Sequence, residues 1–249
     1  MEVDFNTLKA AALHGGIEQV RRVLSMAPDP AALVAAASPD GWYVLHWLVA
    51  TRQQPKLEIL RLLLAVNPAA ALAAAHGCSG ITPMHLAVSC GNVKAVQLLL
   101  EAAPSTAAAP TSHGMVPFQY IDWRNHGSCW ASEGYRTALQ LMAASGLEPR
   151  RLLFSLCRGL PGTLPLVAEL AARYPLTPAD WRLIPSPCPG LATALPAVFE
   201  RSTAEAALLV ARLPEPKRHC LRTAAMCLRR AEAMLPQPLT WRILSTSLV

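Results

Sequence analysis

This sequence has little charge and few β-branched residues, and each shortage excludes a class of protein. Only 15% of its 249 residues are charged while 53% are hydrophobic, which excludes a disordered chain. The 15 Val and 6 Ile are far outnumbered by 43 Ala and 39 Leu, which excludes a sheet-rich fold and predicts an all-α protein. The 22 Pro predict short helices, because proline inside a helix breaks it.

The sequence also lacks an apolar run of membrane-spanning length. The longest candidate, residues 57–75, contains Glu58, Arg61 and Pro68. The first ten residues have neither the basic flank nor the apolar stretch of a signal peptide, and seven irregularly spaced cysteines do not suggest a disulfide framework. We therefore expect a protein of the cytoplasm or nucleus.

Sequence signatures of enzymes and of bound metals are missing as well. The chain has no G-x-S-x-G, phosphate-binding glycine loop, H-E-x-x-H or C-x-x-C motif, and its 16 acidic residues are scattered. His76, Cys78, His85 and Cys90 are close together, but their spacing matches no common zinc site. We expect no catalytic residues, no cofactor and no metal ion.

What the sequence does contain is an internal repeat. Residues 80–91 read GITPMHLAVSCG and precede VKAVQLLL at 93–100, which closely resembles one ankyrin repeat. Related segments are DGWYVLH (40–46) with LEILRLLL (57–64), LKAAA (8–12) with IEQVRRVL (17–24), and GMVPFQ (114–119). The matching positions Lys9, His46, His85 and Gln119 are 37, 39 and 34 residues apart, near the 33-residue ankyrin period.

The resemblance implies an all-α ankyrin-repeat solenoid over residues 1–146, followed by an α-helical C-terminal domain over 147–249. The repeats cover about 5–38, 39–76 and 77–110, with a degenerate fourth copy at 111–146. In that fourth copy Gln119 replaces the histidine and residues 122–130 do not follow the repeat pattern, so we expect residues 136–144 to supply the second helix.

Each position of the repeat motif has a physical role. The glycines suit tight turns and a left-handed helix end, Thr82 and Pro83 suit the first turn of a helix, and the leucines suit an apolar stripe. In ankyrin repeats the matching histidine bonds to the backbone and joins helices. The structural motif residues are Gly41, His46, Gly80, Thr82, Pro83, His85, Gly91, Leu99 and Leu100.

The resemblance also predicts the function, because ankyrin repeats bind partner proteins with hairpin tips and with the concave face of the first helices. We expect a non-catalytic scaffold or adaptor, with Trp42 as the best anchor since Trp is enriched in binding hot spots. The predicted partner-binding residues are Asp40, Trp42, Trp47, Ser79, Ile81, Ser89, Cys90, His113 and Met115.

An alternative function comes from a second, shorter resemblance. Residues 153–158 (LFSLCR), within a segment near 150–184, are similar to the core of a suppressor-of-cytokine-signalling box, a helical module that docks elongin and cullin. That resemblance implies a substrate adaptor of a cullin-type ubiquitin ligase. It requires Leu153, Leu156 and Cys157 to be exposed enough to dock a partner.

The C-terminal residues 201–249 hold eight Lys/Arg and three Asp/Glu. A long helix is predicted at 216–235, with an apolar stripe (Leu221, Ala224, Leu228, Ala231, Leu235) and a basic surface formed by Arg218, Arg222 and Arg229. We interpret these arginines as a solvated helix face and expect neither nucleic acid nor an anionic membrane as the partner. A calmodulin-type partner is a further alternative, but we expect the stripe to pack within the fold.

Overall fold

The computed structural model describes residues 4–50, 56–131, 134–157 and 163–231, and within them the chain forms fifteen α-helices, short 3-10 turns and two isolated β-bridges. It divides into two compact units, residues 1–146 and 147–249. The predicted all-α fold is confirmed. None of the described helices is both long enough and apolar enough to cross a membrane.

The first three repeats of unit 1 share one plan, which is a first helix, a second helix and a short helical piece that begins at a proline. The first repeat contains α1 (Phe5–His14), α2 (Ile17–Met26) and α3 (Pro30–Val34). The second contains α4 (Val44–Ala50), α5 (Leu57–Val66) and the 3-10 turn Pro68–Leu72. The third contains α6 (Pro83–Ser89), α7 (Val93–Ala102) and the 3-10 turn Pro104–Ala108.

The prolines explain where the short pieces begin, because proline tolerates the first turn of a helix, where its missing N–H is not needed. Before α3, the Asp29 side chain caps the helix by accepting a bond from the Ala32 backbone N–H at 3.0 Å. The Asn67 side-chain amide then donates to the Ala31 carbonyl at 3.0 Å and links this piece to the next repeat.

The core of unit 1 lies between the paired helices of successive repeats. Met84, Ala87 and Val88 of α6 are fully buried, as their spacing predicts, and Val96 and Leu99 of α7 are buried opposite them. Leu100 is only half-buried. One repeat cannot bury such a stripe alone, so neighbouring repeats must stack.

The predicted degenerate fourth copy, residues 111–146, departs most from the plan. Its first helix shrinks to the 3-10 turn Pro117–Tyr120, and residues outside the repeat pattern form an inserted helix, α8 (Trp123–Ala131). The second helix is α9 (Tyr135–Ala144), one residue longer than predicted. Trp130 of α8 is fully buried, so the insertion belongs to the core.

Unit 2 is a set of short helices. They are α10 (Pro149–Cys157), α11 (Leu164–Arg173), α12 (Pro178–Leu183), α13 (Leu195–Arg201), α14 (Thr203–Val210) and α15 (Glu215–Ala231), with a 3-10 turn at Pro189–Ala194. Thr177 caps α12, with its hydroxyl accepting from the Asp180 N–H at 3.2 Å. Trp181 of α12 is 1% exposed and lies in the core.

The structure bears on two expectations about unit 2, and it corrects the first. The docking condition of the ligase-adaptor alternative fails, because Leu153 and Leu156 are 0% exposed and Cys157 is half-buried. On the long helix, the described members of the predicted apolar stripe, Leu221 and Ala224, are half-buried, and no side chain from Glu215 to Ala224 is fully buried. The predicted end of this helix at residue 235 lies outside the described residues.

Candidate functional site

The hairpins between repeats are stacked edge to edge. Each is closed by a backbone bond between its two arms, as in the Ala75 N–H donating to the Ile81 carbonyl at 2.8 Å. A Cβ on Gly41 would lie 3.0 Å from the Gly77 nitrogen, so the first hairpin rests on the second. The Ser112 N–H donates to the Ser79 carbonyl at 2.9 Å, so the second hairpin is joined to the third.

The repeat glycines adopt the conformation that the motif predicts. Their φ angles are +77° at Gly41, +70° at Gly80, +68° at Gly91 and +70° at Gly114. At Gly91 space is restricted as well, because a Cβ would lie 2.7 Å from Cγ of His126 on α8. The inserted helix therefore packs against the end of α6 at a position where only glycine fits.

The two repeat histidines join neighbouring repeats. The Tyr43 backbone N–H donates to Nδ1 of His46 at 3.3 Å, so Nε2 carries the proton and donates to the Ile81 carbonyl at 2.9 Å. His85 repeats this arrangement, with the Thr82 N–H at 3.2 Å and the Met115 carbonyl at 3.0 Å. Both imidazoles are fully buried, and this burial lowers the pKa of each. They are structural residues, as the resemblance implies.

Two tryptophans meet at the start of the second repeat. The rings of Trp42 and Trp47 are 5.1 Å apart between centroids, and both side chains are half-buried. The ammonium of Lys9 on α1 lies 3.9 Å from the centre of the Trp47 ring, within the range of a cation–π contact. The first copy, which has Lys9 in place of the histidine, thus uses this lysine to contact the next repeat.

The other predicted binding residues occupy two parts of unit 1. Asp40, Ser79 and His113 are exposed on successive hairpins, and Met115 of the third hairpin is 37% exposed. Ile81, Ser89 and Cys90 are half-buried at the two ends of α6. The Cys90 thiol lies 3.9 Å from the Ala50 carbonyl at the end of α4, which places the ends of these two first helices side by side.

Two residues of this surface were missed by the sequence interpretation, namely Leu86 and Tyr120. Both are half-buried, and each directly follows the repeat position held by His85 or Gln119, as Trp47 follows His46. The Tyr120 ring stands edge-on to His85 with 4.8 Å between centroids. Aligning the repeats would have identified both residues, because three of the four residues at this position are large and apolar or aromatic.

Two arginines of the predicted basic surface pair with an acidic residue. The Glu215 carboxylate pairs with Arg218 at 2.6 Å and with Arg222 at 3.3 Å, so one acidic residue of the same helix contacts both arginines. The side chain of Arg229 lies outside the described residues, as does that of Cys78. Among the described residues no group of three or more His, Cys, Asp or Glu could hold a metal ion.

Comparison with known proteins agrees with the geometry of unit 1. A family model for ankyrin repeats matches residues 8–109 in three copies. The curated proteins contain no match to this chain.

Proposed function

We propose that this chain, an ankyrin-repeat protein whose repeats cover residues 8–109, is a non-catalytic scaffold or adaptor. Ankyrin repeats generally mediate protein–protein interaction. Here the partner protein binds across the first helices and the hairpin tips of unit 1. The observation that carries the proposal is the half-buried tryptophan pair of the second repeat.

This pair has the properties of a binding anchor. Trp42 and Trp47 offer large apolar rings that are only partly covered, and tryptophan is the residue most enriched in interface hot spots. The Lys9 ammonium holds the Trp47 ring from one side. Because the ring is already positioned, less side-chain freedom is lost when a partner covers it.

The surface around the anchor is apolar rather than charged. Leu86 of α6 and Tyr120 of the fourth repeat continue the repeat position that Trp47 occupies on α4. Such a row matches an apolar or aromatic segment of a partner better than a highly charged one. The exposed Asp40, Ser79 and His113 supply the polar rim at the hairpin tips.

The repeats hold this row rigidly. The His46 and His85 bonds tie each first helix to the following hairpin, and the hairpins are tied to one another. A rigid surface binds with little ordering cost, which is the advantage of a stacked repeat.

The test uses the full chain with Trp42→Ala and a matched control, Met26→Ala. Met26 is 54% exposed at the end of α2, so its replacement also removes an exposed apolar side chain. Partners are identified by cross-linking and mass spectrometry, and the affinity of the purified partner is then measured. We expect Trp42→Ala to weaken binding by about tenfold or more and Met26→Ala by less than about twofold.

Thermal unfolding of both variants shows whether they remain folded. Equal affinity of a folded Trp42→Ala variant and the parent chain would contradict the proposed surface. Binding that maps to residues 147–249 would move the function to the second unit.

A further inference from the structure

Two positions of the repeat carry partly exposed apolar side chains in every copy from the second onward. One position directly follows the hairpin glycine, and the other directly follows the position of the repeat histidine. All six residues at these positions are apolar or aromatic, and each is half-buried or exposed. They are Trp42, Ile81 and Met115 in the first row, and Trp47, Leu86 and Tyr120 in the second. We call these six side chains the apolar strip.

Contacts between the two rows show that they lie side by side. In the second repeat the rings of Trp42 and Trp47 are 5.1 Å apart between centroids. At the predicted fourth copy both rows meet His85, because its Nε2 donates to the Met115 carbonyl at 3.0 Å and its ring is 4.8 Å from the Tyr120 ring. The strip therefore extends from the second repeat to the fourth copy.

The spacing along the strip is set by the stacking of the first helices. Helix α1 packs on α4, α4 packs on α6, and α6 packs on the 3-10 turn Pro117–Tyr120. Packed helices lie about 8–10 Å apart, so each row offers one apolar side chain at about this interval. A polyproline II chain advances about 9 Å per turn of three residues and presents every third side chain on one side. A β-strand repeats its face about every 7 Å and does not match.

A bound α-helix would match the spacing of the strip but not its shape. Helix residues seven apart repeat on one face about every 10.5 Å, but a helix is about 10–12 Å across and enters a groove between two walls. Here the two rows touch at Trp42 and Trp47, which leaves no groove between them in the second repeat. The strip therefore fits a slim, extended chain.

A single cation marks the start of the strip. The Lys9 ammonium lies 3.9 Å from the centre of the Trp47 ring, and it forms no ion pair with a carboxylate in the part of the chain that the structure describes. The next residue, Ala10, is the small and exposed counterpart of Trp47 in the first repeat. An ammonium has three donors, of which the ring face occupies one side. A carboxylate on a bound segment would complete this contact and fix the register of the segment.

We propose that the apolar strip binds a partner segment in the polyproline II conformation, with an apolar side chain at every third position and an acidic residue beside the one that covers Trp47. This inference rests on the proposed scaffold function and adds the conformation and chemistry of the partner segment. Polyproline II ligands dock on aromatic surfaces at a low ordering cost, because their conformation is largely formed before binding.

The probe is a displayed library of random peptides, each long enough to cross the strip, which is selected on the full chain and sequenced. We expect apolar residues at every third position, with Asp or Glu next to an outer one. The strongest peptide is then synthesised, and its affinity is measured by fluorescence anisotropy. Inserting one residue between two of its apolar positions should weaken binding at least about tenfold.

The chain itself offers a matched pair of variants. Leu86→Ala removes an apolar side chain of the strip and should weaken binding about tenfold. Leu72→Ala removes the same side chain from the 3-10 turn Pro68–Leu72, where it is 41% exposed and lies outside the strip, and should weaken binding less than about twofold. Thermal unfolding verifies that both variants are folded.

A second comparison tests the contact with Lys9. Replacing the acid of the peptide by its amide should weaken binding to the parent chain about threefold to tenfold. The same replacement should have no effect on binding to Lys9→Met, because this variant keeps an apolar side chain of similar length and lacks the charge. Lys9→Arg keeps the charge and should retain the preference for the acid.

Selected peptides with apolar residues at alternate positions, or at helical spacing, would overturn the proposal, because they would indicate a bound strand or helix. Peptides without an acid, or an equal effect of the amide on the parent chain and on Lys9→Met, would overturn it as well. In each of these cases, loss of peptide binding in Trp42→Ala would still support the scaffold function. If no selected peptide distinguishes the parent chain from Trp42→Ala, the proposed function and this inference are both contradicted.

Discussion

At the scale of single residues, the buried histidines couple the stability of the repeats to pH. Each accepts a backbone N–H at Nδ1 and donates from Nε2, so the native state needs the neutral ring. Protonation at Nδ1 removes the acceptor and places a charge in a buried position. Burial accordingly lowers the pKa of His46 and His85 below the ordinary value of 6.5.

The direction of the pH effect on stability follows from the difference in histidine pKa between the folded and unfolded states. A histidine whose pKa is lower in the folded than in the unfolded state stabilises the fold fully above about pH 6.5 and loses this contribution as the pH falls toward the folded pKa. We expect the midpoint temperature of thermal unfolding to be lower at pH 5 than at pH 7. The double variant His46→Gln with His85→Gln should flatten this dependence.

Glutamine is the appropriate replacement because the fourth repeat already uses it. There the Gln119 side-chain oxygen accepts the Val116 N–H at 3.1 Å, as the histidine nitrogens do elsewhere. The control His113→Gln removes an exposed histidine at a hairpin tip and should retain the pH dependence of the parent chain. An unchanged pH profile in the double variant would refute the assignment.

Backbone strain acts at both Gly91 and Gly114, whereas steric conflict with a neighbouring side chain acts only at Gly91. Gly91 and Gly114 have nearly the same φ, +68° and +70°, but only Gly91 faces another residue at its Cβ position, His126. Gly114→Ala should cost about 1 kcal/mol from left-handed strain alone. Gly91→Ala should cost about 1–3 kcal/mol more. Chemical denaturation measures both, and removing the His126 side chain in the Gly91→Ala background should recover part of the difference.

At the scale of secondary-structure elements, one lysine joins the second repeat to the first. The Lys56 ammonium donates to the Leu13 carbonyl at 3.0 Å and to the Gly15 carbonyl at 2.6 Å, at the C-terminal end of α1. Carbonyls at a helix end lack partners within the helix, and a positive charge there is favourable.

Replacing this lysine should therefore destabilise the first repeat. We expect Lys56→Met to lower the free energy of unfolding by about 1–3 kcal/mol, because charged hydrogen bonds to half-buried carbonyls are lost. The matched control is Lys94→Met on α7, whose side chain is exposed. If both variants have the same stability in urea titrations, the two bonds do not hold the repeats together.

At the scale of the whole molecule, the predicted degenerate fourth copy is joined to the third repeat by several contacts. It supplies the Met115 carbonyl to His85, the Tyr120 ring to the same imidazole, and His126 to Gly91. We propose that residues 1–146 fold as an independent domain, with this copy covering the last apolar face.

Two fragments test that proposal. Residues 1–146 should unfold cooperatively by circular dichroism, whereas residues 1–109, which end with the third repeat, should melt at a lower temperature or aggregate. Equal stability of the two fragments would show that the fourth copy does not act as a cap. A fragment 1–146 without a cooperative transition would mean that the second unit is needed for folding.

Local chemistry alone determined much of this protein. The all-α composition, the repeat register, the left-handed glycines and the bonding of His46 and His85 could be predicted, because each depends on residues a few positions apart or on a motif that repeats. The helix cap at Thr177 belongs to the same class.

Tertiary structure decided which faces are covered. The burial of Leu153 and Leu156, the exposure along α15 and the packing of α8 against Gly91 depend on elements distant in sequence. An amphipathic pattern states that a helix has an apolar side, but only the position of its neighbours shows whether that side is filled. For the same reason the sequence suggested a docking motif in α10, where the structure shows core.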